Sequence, residues 1–166
     1  MIKKELNLFD ILQNPAVGVI ALHSFILGYN NVAKDMQYKI DYPPLNYLFF
    51  VLPLIYDNKT ILTIKNKLYT SIIENKEMTL GLQERANKMS GQTFESLNLG
   101  FSKLIFSLDK ENYTIEINDE YNKSILTMMN LNNQTLRNIQ KYSTRLGNIF
   151  AKRDEKMLQL DLNIRF

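Results

Sequence analysis

From Pro15 to Tyr29 almost every residue of this chain is apolar. Asn14 suits the cap of a helix there, and Pro15 suits its first position, where an amide would have no partner. The pattern predicts a buried helix over Ala16–Tyr29, closed by Gly28 or Asn30, followed by a polar loop over 30–42. The next stretch, YPPLNYLFFVLPLIY from Tyr42 to Tyr56, holds one strongly polar residue after its prolines, Asn46. A helix apolar all round is buried on every side in a soluble protein. Leu45–Tyr56 is therefore predicted as a central helix opened by the prolines and kinked or ended at Pro53. A short helical piece is expected at Thr60–Ile64.

Beyond Lys67 the pattern turns amphipathic. Leu68, Ile72 and Ile73 mark one short helix, and Met78, Leu82, Ala86 and Met89 a second. After Gly91, the residues Phe94, Leu97, Phe101, Leu104 and Ile105 mark a third. Ile115 and Ile117 alternate with Thr114 and Glu116 behind a turn-like Asp109–Asn112, which predicts a hairpin. Three short helices and a hairpin follow the order of a winged-helix unit. Ser124–Met129 reads as a short helix. Asn133–Lys152 reads as a long one, with Leu136, Ile139, Leu146, Ile149 and Phe150 inward. The tail alternates strictly through Leu158, Leu160, Leu162, Ile164 and Phe166, which predicts a strand. The expected fold class is mainly α with a minor β-hairpin, in a single domain over 1–166. Its parts are a buried helical core (12–64), a winged-helix-like unit (65–118) and a C-terminal helix and strand (119–166).

Composition narrows the chemistry. The 166 residues suit one domain. The absence of cysteine excludes disulfides, thiolate metal sites and cysteine catalysis, and fits a reducing cytosol, so a cytoplasmic location is expected. The opening MIKKELNLFDIL lacks the apolar stretch of a signal peptide, and no unbroken run of apolar residues is long enough to predict a membrane span. A net charge of +3 permits contact with nucleic acid without arguing for it.

His23 is the only histidine, and its apolar neighbours Val19, Ile20, Ile26 and Leu27 favour a structural role. One histidine and no cysteine cannot furnish an ordinary zinc site. Asp109, Glu111, Glu116, Asp119 and Glu120 surround the hairpin, but Glu116-Ile117-Asn118 lacks the lysine of a nuclease Glu-x-Lys motif. A solvated turn is the expectation. Neither a phosphate loop nor a G-x-G-x-x-G motif occurs. No catalytic, cofactor-binding or metal-binding residue is therefore expected, and no enzyme. Arg137, Lys141 and Arg145 step by four along the last long helix, and Lys152 and Arg153 end it. They are the candidate contacts to DNA phosphate or to a partner. A favourable helix C-terminus and solubility are the competing reasons for them. The helix before the hairpin offers Thr93, Glu95, Ser96, Asn98, Ser102 and Lys103. One acid and one base make a poor phosphate surface, so a winged helix here would suit protein contact better.

One resemblance gathers several of these features. Asn14-Pro15-Ala16, Gly18, Phe25 and Gly28-Tyr29 stand in the first helix. Pro44-Leu45, Tyr47, Phe49 and Leu52-Pro53-Leu54 follow. Then come Thr70-Ser71, Glu74-Asn75, Glu84-Arg85-Ala86, Thr93, Glu95-Ser96-Leu97 and Gly100, with Arg145-Leu146-Gly147 and Phe150-Ala151 near the end. In order and spacing this resembles the middle component of three-component ABC systems, the group that includes Lamassu-type bacterial defence operons. The likeness covers residues 12–106 and 143–166. It implies a small non-catalytic subunit with no cofactor, encoded beside an SMC-like ABC ATPase and a variable effector, often a nuclease. The function expected is an adaptor between the two, meeting DNA through the complex. A free winged-helix DNA-binding regulator is the alternative.

Overall fold

The computed structural model describes residues 8–57, 60, 79–120 and 133–166. It is mostly helical, with a two-stranded antiparallel sheet. The pieces expected within 61–64, 67–78 and 124–129 lie outside those residues.

Helix α1 (Leu8–Gln13) leads into α2 (Pro15–Ala33). The Asn14 side chain accepts from Ala16 N at 2.9 Å, and Pro15 takes the first position, as predicted. The helix does not close at Gly28 or Asn30 but runs on to Ala33. Gly28 serves a crossing rather than a cap. A Cβ there would lie 2.1 Å from Thr144 O on the long helix near the C-terminus. By length and mean hydropathy α2 would suffice to cross a membrane, although polar residues interrupt its apolar run. In this fold most of its residues are buried against other helices.

The central stretch is not one helix. Leu45–Phe50 is 3-10 and Val51–Ile55 is α-helical (α3). Pro53 falls in the first turn of α3, where a missing amide costs nothing. The break lies before it, at Phe50. Pro44 is extended rather than helical and bridges to Thr114. The expected burial holds for most of the stretch: Tyr47, Leu48, Phe50 and every residue of α3 are buried, while Leu45, Asn46, Phe49 and Tyr56 are half-buried.

Helix α4 (Leu82–Ser102) replaces the two short helices predicted around Gly91. The buried positions Leu82, Ala86, Thr93, Leu97 and Gly100 form one continuous stripe. Its burial outweighs the roughly 1 kcal/mol that an interior glycine costs. The helix stops at Ser102, short of the predicted Leu104 and Ile105, because Phe106 folds back over Gly100. A Cβ at Gly100 would lie 2.2 Å from the Phe106 ring. Strands β1 (Phe106–Asp109) and β2 (Thr114–Ile117) pair Phe106 with Ile117 and Leu108 with Ile115. The other edge of β2 is tied to the prolines: Ile115 N donates to Pro43 O at 3.1 Å, and Leu45 N to Tyr113 O at 2.9 Å.

Helix α5 (Gln134–Ala151) fills the range predicted for the long helix, with Asn133 as its N-cap and Lys152 as its C-cap, and buries Ile139, Leu146, Ile149 and Phe150. The predicted terminal strand is instead helix α6 (Glu155–Leu162). Asp154 accepts from Met157 N at 2.8 Å and starts it, and Asn163 ends it in the left-handed conformation. The alternating pattern misleads because Leu158 and Leu162 are also one helical turn apart. Leu160, the odd member, is 76% exposed.

The core is the crossing of α2 and α5. Gly28 meets Thr144 O, and Gly147 reciprocally would place a Cβ 2.1 Å from Phe25 O. The backbones touch, as only glycine allows. With its amide oriented to donate, Asn148 spans the crossing, reaching Gly28 O at 2.6 Å and Thr144 O at 3.3 Å. Around it Phe25, Tyr47, Phe150 and Phe166 pack ring to ring, with centroids 4.5–5.5 Å apart. Such pairs add about 0.5–1.5 kcal/mol each beyond their burial.

Candidate functional site

Among the sequence-derived candidates, Arg137, Lys141 and Lys152 are exposed, while Arg145 and Arg153 are half-buried. Arg137, Lys141 and Arg145 share one side of α5, opposite the stripe of Ile139, Leu146 and Phe150, since four residues advance a helix by little more than one turn. Lys152 is the C-cap. Arg153 belongs to the turn beyond it, where its carbonyl accepts from the Lys39 ammonium. Burial pulls the Lys39 ammonium below its usual range, and Asp154 opposes that shift.

The polar residues of α4 divide differently from expectation. Thr93 and Ser96 face the core, not solvent. Ser96 packs on α2, where a Cβ at Gly18 would meet its Oγ at 2.0 Å, and its hydroxyl donates to Gln92 O at 2.9 Å. The outward face carries Glu84, Lys88, Phe94, Glu95 and Asn98. Lys88 pairs with Glu84 at 2.8 Å. That face lacks the excess of cations a phosphate-reading helix needs.

The hairpin acids are turn builders. The Asp109 carboxylate accepts from Asn112 Nδ2 at 2.7 Å and Glu111 N at 2.8 Å. The Asn112 bond leads in holding that carboxyl below the usual range. Glu116 and Asp119, with Asp41, add to the upward shift that burial gives the Tyr42 phenol. Among the described residues no group of three or more acids or histidines is arranged to hold a metal ion. His23 is fully buried, neither ring nitrogen has a hydrogen-bond partner among the described residues, and burial pushes it down to about 4.

Sequence reasoning missed an open groove of about 640 Å³. The 3-10 segment, α4, the hairpin turn, the start of α6 and the tail meet there. Phe49, Phe50, Tyr113 and Phe166 give it aromatic walls, and Asn46 and Gln83 give it amides. Gln83 Oε1 accepts from Arg165 N at 2.8 Å, which fixes the tail along one side. Asn46 Oδ1 is buried without a partner among the described residues. Phe94, half-exposed, continues the aromatic surface through Phe49, 4.9 Å away. No local motif announces such a groove, because its walls are scattered from Pro44 to Phe166.

Two large side chains at the hairpin share an unusual state. Leu104 and Tyr113 have φ of 57° and 54°, a strained region for bulky residues. They are 65% and 68% exposed. Each bears the cost of a left-handed backbone while leaving apolar surface in water.

The fold and these surfaces define a small, mainly helical protein organised on one close helix crossing. The family model described as ABC-three component (ABC-3C) system Middle Component 3 matches residues 2–165, and the chain belongs to that family. The match includes residues 107–142, which the motif likeness left uncovered. No curated protein and no solved structure matches the chain.

Proposed function

We propose that this chain is a non-catalytic adaptor, cytoplasmic, that holds an SMC-like ABC ATPase against an effector nuclease in a Lamassu-type bacterial complex defending against phage or plasmids. Membership of the middle-component family carries the reading. The aromatic groove and the strained, exposed Leu104 and Tyr113 support it. Strain and exposed apolar surface persist where another requirement maintains them, and a docked partner is such a requirement.

The test is co-expression of the chain with the products of its neighbouring genes. The expected result is stable co-elution of an ATPase and an effector. The Leu104→Gly/Tyr113→Gly pair should weaken that association while leaving the chain at least as stable as before, since glycine relieves the left-handed strain of about 1–2 kcal/mol per residue. The purified chain should neither hydrolyse ATP nor cut DNA. Turnover that survives stringent purification and is lost on replacing Asp109 or Glu116 would refute the non-catalytic role.

A free winged-helix regulator is the second reading. It is favoured by the extended Pro44 beside β2, which puts a strand-like step between a helix and a helix-plus-hairpin. Sequence-specific operator binding at physiological salt, with no partner present, would establish it over the adaptor.

A further inference from the structure

The described exposed surface is divided by chemistry. Large exposed apolar side chains lie at Met36, Tyr38 and Ile40, at Leu80 and Phe94, around the hairpin, and on α6. None lies on α5. The outward side of α5 offers Arg137 and Lys141 in solvent, with Lys152 at its end, Gln134 a turn before them and Asn138 between. The sequence holds no Asp or Glu between Glu120 and Asp154, although it has 17 acids in all. Among the described residues no salt bridge reaches Arg137, Lys141 or Lys152.

This array works against the helix that bears it. A cation at the C-cap favours the negative end of the dipole, which accounts for Lys152. Arg137 sits at the fourth position of α5, where the dipole repels it, and the first turn contains no acid to compensate. Arg137 and Lys141 are four residues apart, the spacing at which like charges destabilise a helix. Neither folding nor capping explains Arg137 and Lys141, whereas an external polyanion does.

We infer that the outward face of α5 is a contact for the phosphate backbone of duplex DNA, through Arg137, Lys141 and Lys152. A protein partner fits less well. Protein interfaces have an apolar centre, and this face has none, whereas DNA interfaces are polar and strongly positive. Single-stranded nucleic acid fits less well too, because it is held by base stacking on aromatic rings. The exposed aromatic residues lie elsewhere. The spacing suits a rod-like track: four residues advance about 6 Å along the helix and fifteen advance roughly 22 Å. Contacts confined to phosphate carry no sequence preference. DNA contact through α5 holds whether or not the chain also bridges an ATPase and an effector.

The test is fluorescence anisotropy of the full chain with a mixed-sequence duplex DNA of about 30 base pairs, titrated in KCl. Three phosphate contacts give a slope of about −2.7 in log affinity against log salt, so affinity should fall roughly 40-fold from about 50 to 200 mM. The variant Arg137→Gln/Lys141→Gln/Lys152→Gln should lose most of the binding and nearly all of the slope. Its melting temperature should stay close to that of the wild type, because the relief at Arg137 and Lys141 offsets the loss of the favourable charge at the C-cap. Lys88→Gln/Lys103→Gln, which takes charge from α4 and its C-cap, should bind as the wild type does. The inference is overturned if the α5 variant binds as tightly as the wild type, or if binding ignores salt. It is also overturned if a single strand of equal length binds more tightly. Loss of co-eluting protein partners in the α5 variant, with DNA binding intact, would reassign the face to an acidic protein surface. Failure of co-elution in both wild type and variant would count against the adaptor reading alone.

Discussion

Single residues in this protein carry unequal weight, and the glycines show it most plainly. Gly147 lies against backbone, which cannot swing aside: an added Cβ would sit 2.1 Å from Phe25 O and 2.7 Å from Tyr29 N. Gly147→Ala should cost about 3 kcal/mol or more, at the upper end for overpacking, and chemical denaturation measures it. Gly91, exposed on α4 with nothing within 4 Å of its added Cβ, should behave oppositely. Gly91→Ala should gain roughly 0.5–1 kcal/mol. His23 gives a pH dependence of definite sign. Its ring is pushed down to about 4 by burial, from 6.5, so the folded state resists protonation that the unfolded chain accepts. The stability is whole above about pH 6.5 and falls as pH drops from there toward 4, by roughly 3 kcal/mol in all. Melting curves of the wild type and His23→Leu across that window should differ in slope, the variant lacking this component of the fall. Parallel curves would show that His23 does not titrate between the two states.

Among the elements, caps and burial decide outcomes more sharply than apolar spacing does. Asp154→Ala should cost about 1 kcal/mol by removing the carboxylate that receives Met157 N at the start of α6. In the central stretch, Leu48 is fully buried, and Leu48→Asp should abolish soluble folding. Phe49 is only partly buried and lines the groove. Phe49→Asp should therefore fold, with a modest loss read by thermal melting. The sequence pattern alone ranks these two neighbours alike. What could be read before the structure was α2's start at Asn14-Pro15, the hairpin, α5 with its inward residues, and the burial of Leu45–Tyr56. Each depends on neighbours a few positions away. What could not be read depended on distant partners. Gly28 looks like a cap until Thr144 is known to lie against it. Thr93 and Ser96 look solvated until α2 packs over them. The tail looks like a strand unless Asp154 and Asn163 are weighed as helix boundaries. The basic positions of α5 were legible, since exposure of Arg137 and Lys141 follows from helical spacing. The groove was not, because five segments build it.

At the scale of the whole molecule, one long helix is buried chiefly by another that the ribosome makes much later. Helix α2 is complete at Ala33, and its crossing partner α5 at Ala151, 118 residues on. At synthesis rates of about 5–20 residues per second, α2 waits roughly 5–20 s for that partner. During the wait it is a 19-residue apolar helix, long enough to enter a lipid bilayer. The same close crossing that makes the finished fold specific therefore makes its biosynthesis exposed. A chain truncated before Asn133 should be captured by chaperones or bind liposomes in flotation, while the full chain stays in the aqueous fraction. If the truncated chain stays monomeric and free of lipid, α2 finds adequate cover in α4 alone. The delay also gives a reason for synthesis beside binding partners. A protein whose first stable helix must be sheltered gains from meeting its assembly, or a chaperone, before translation ends.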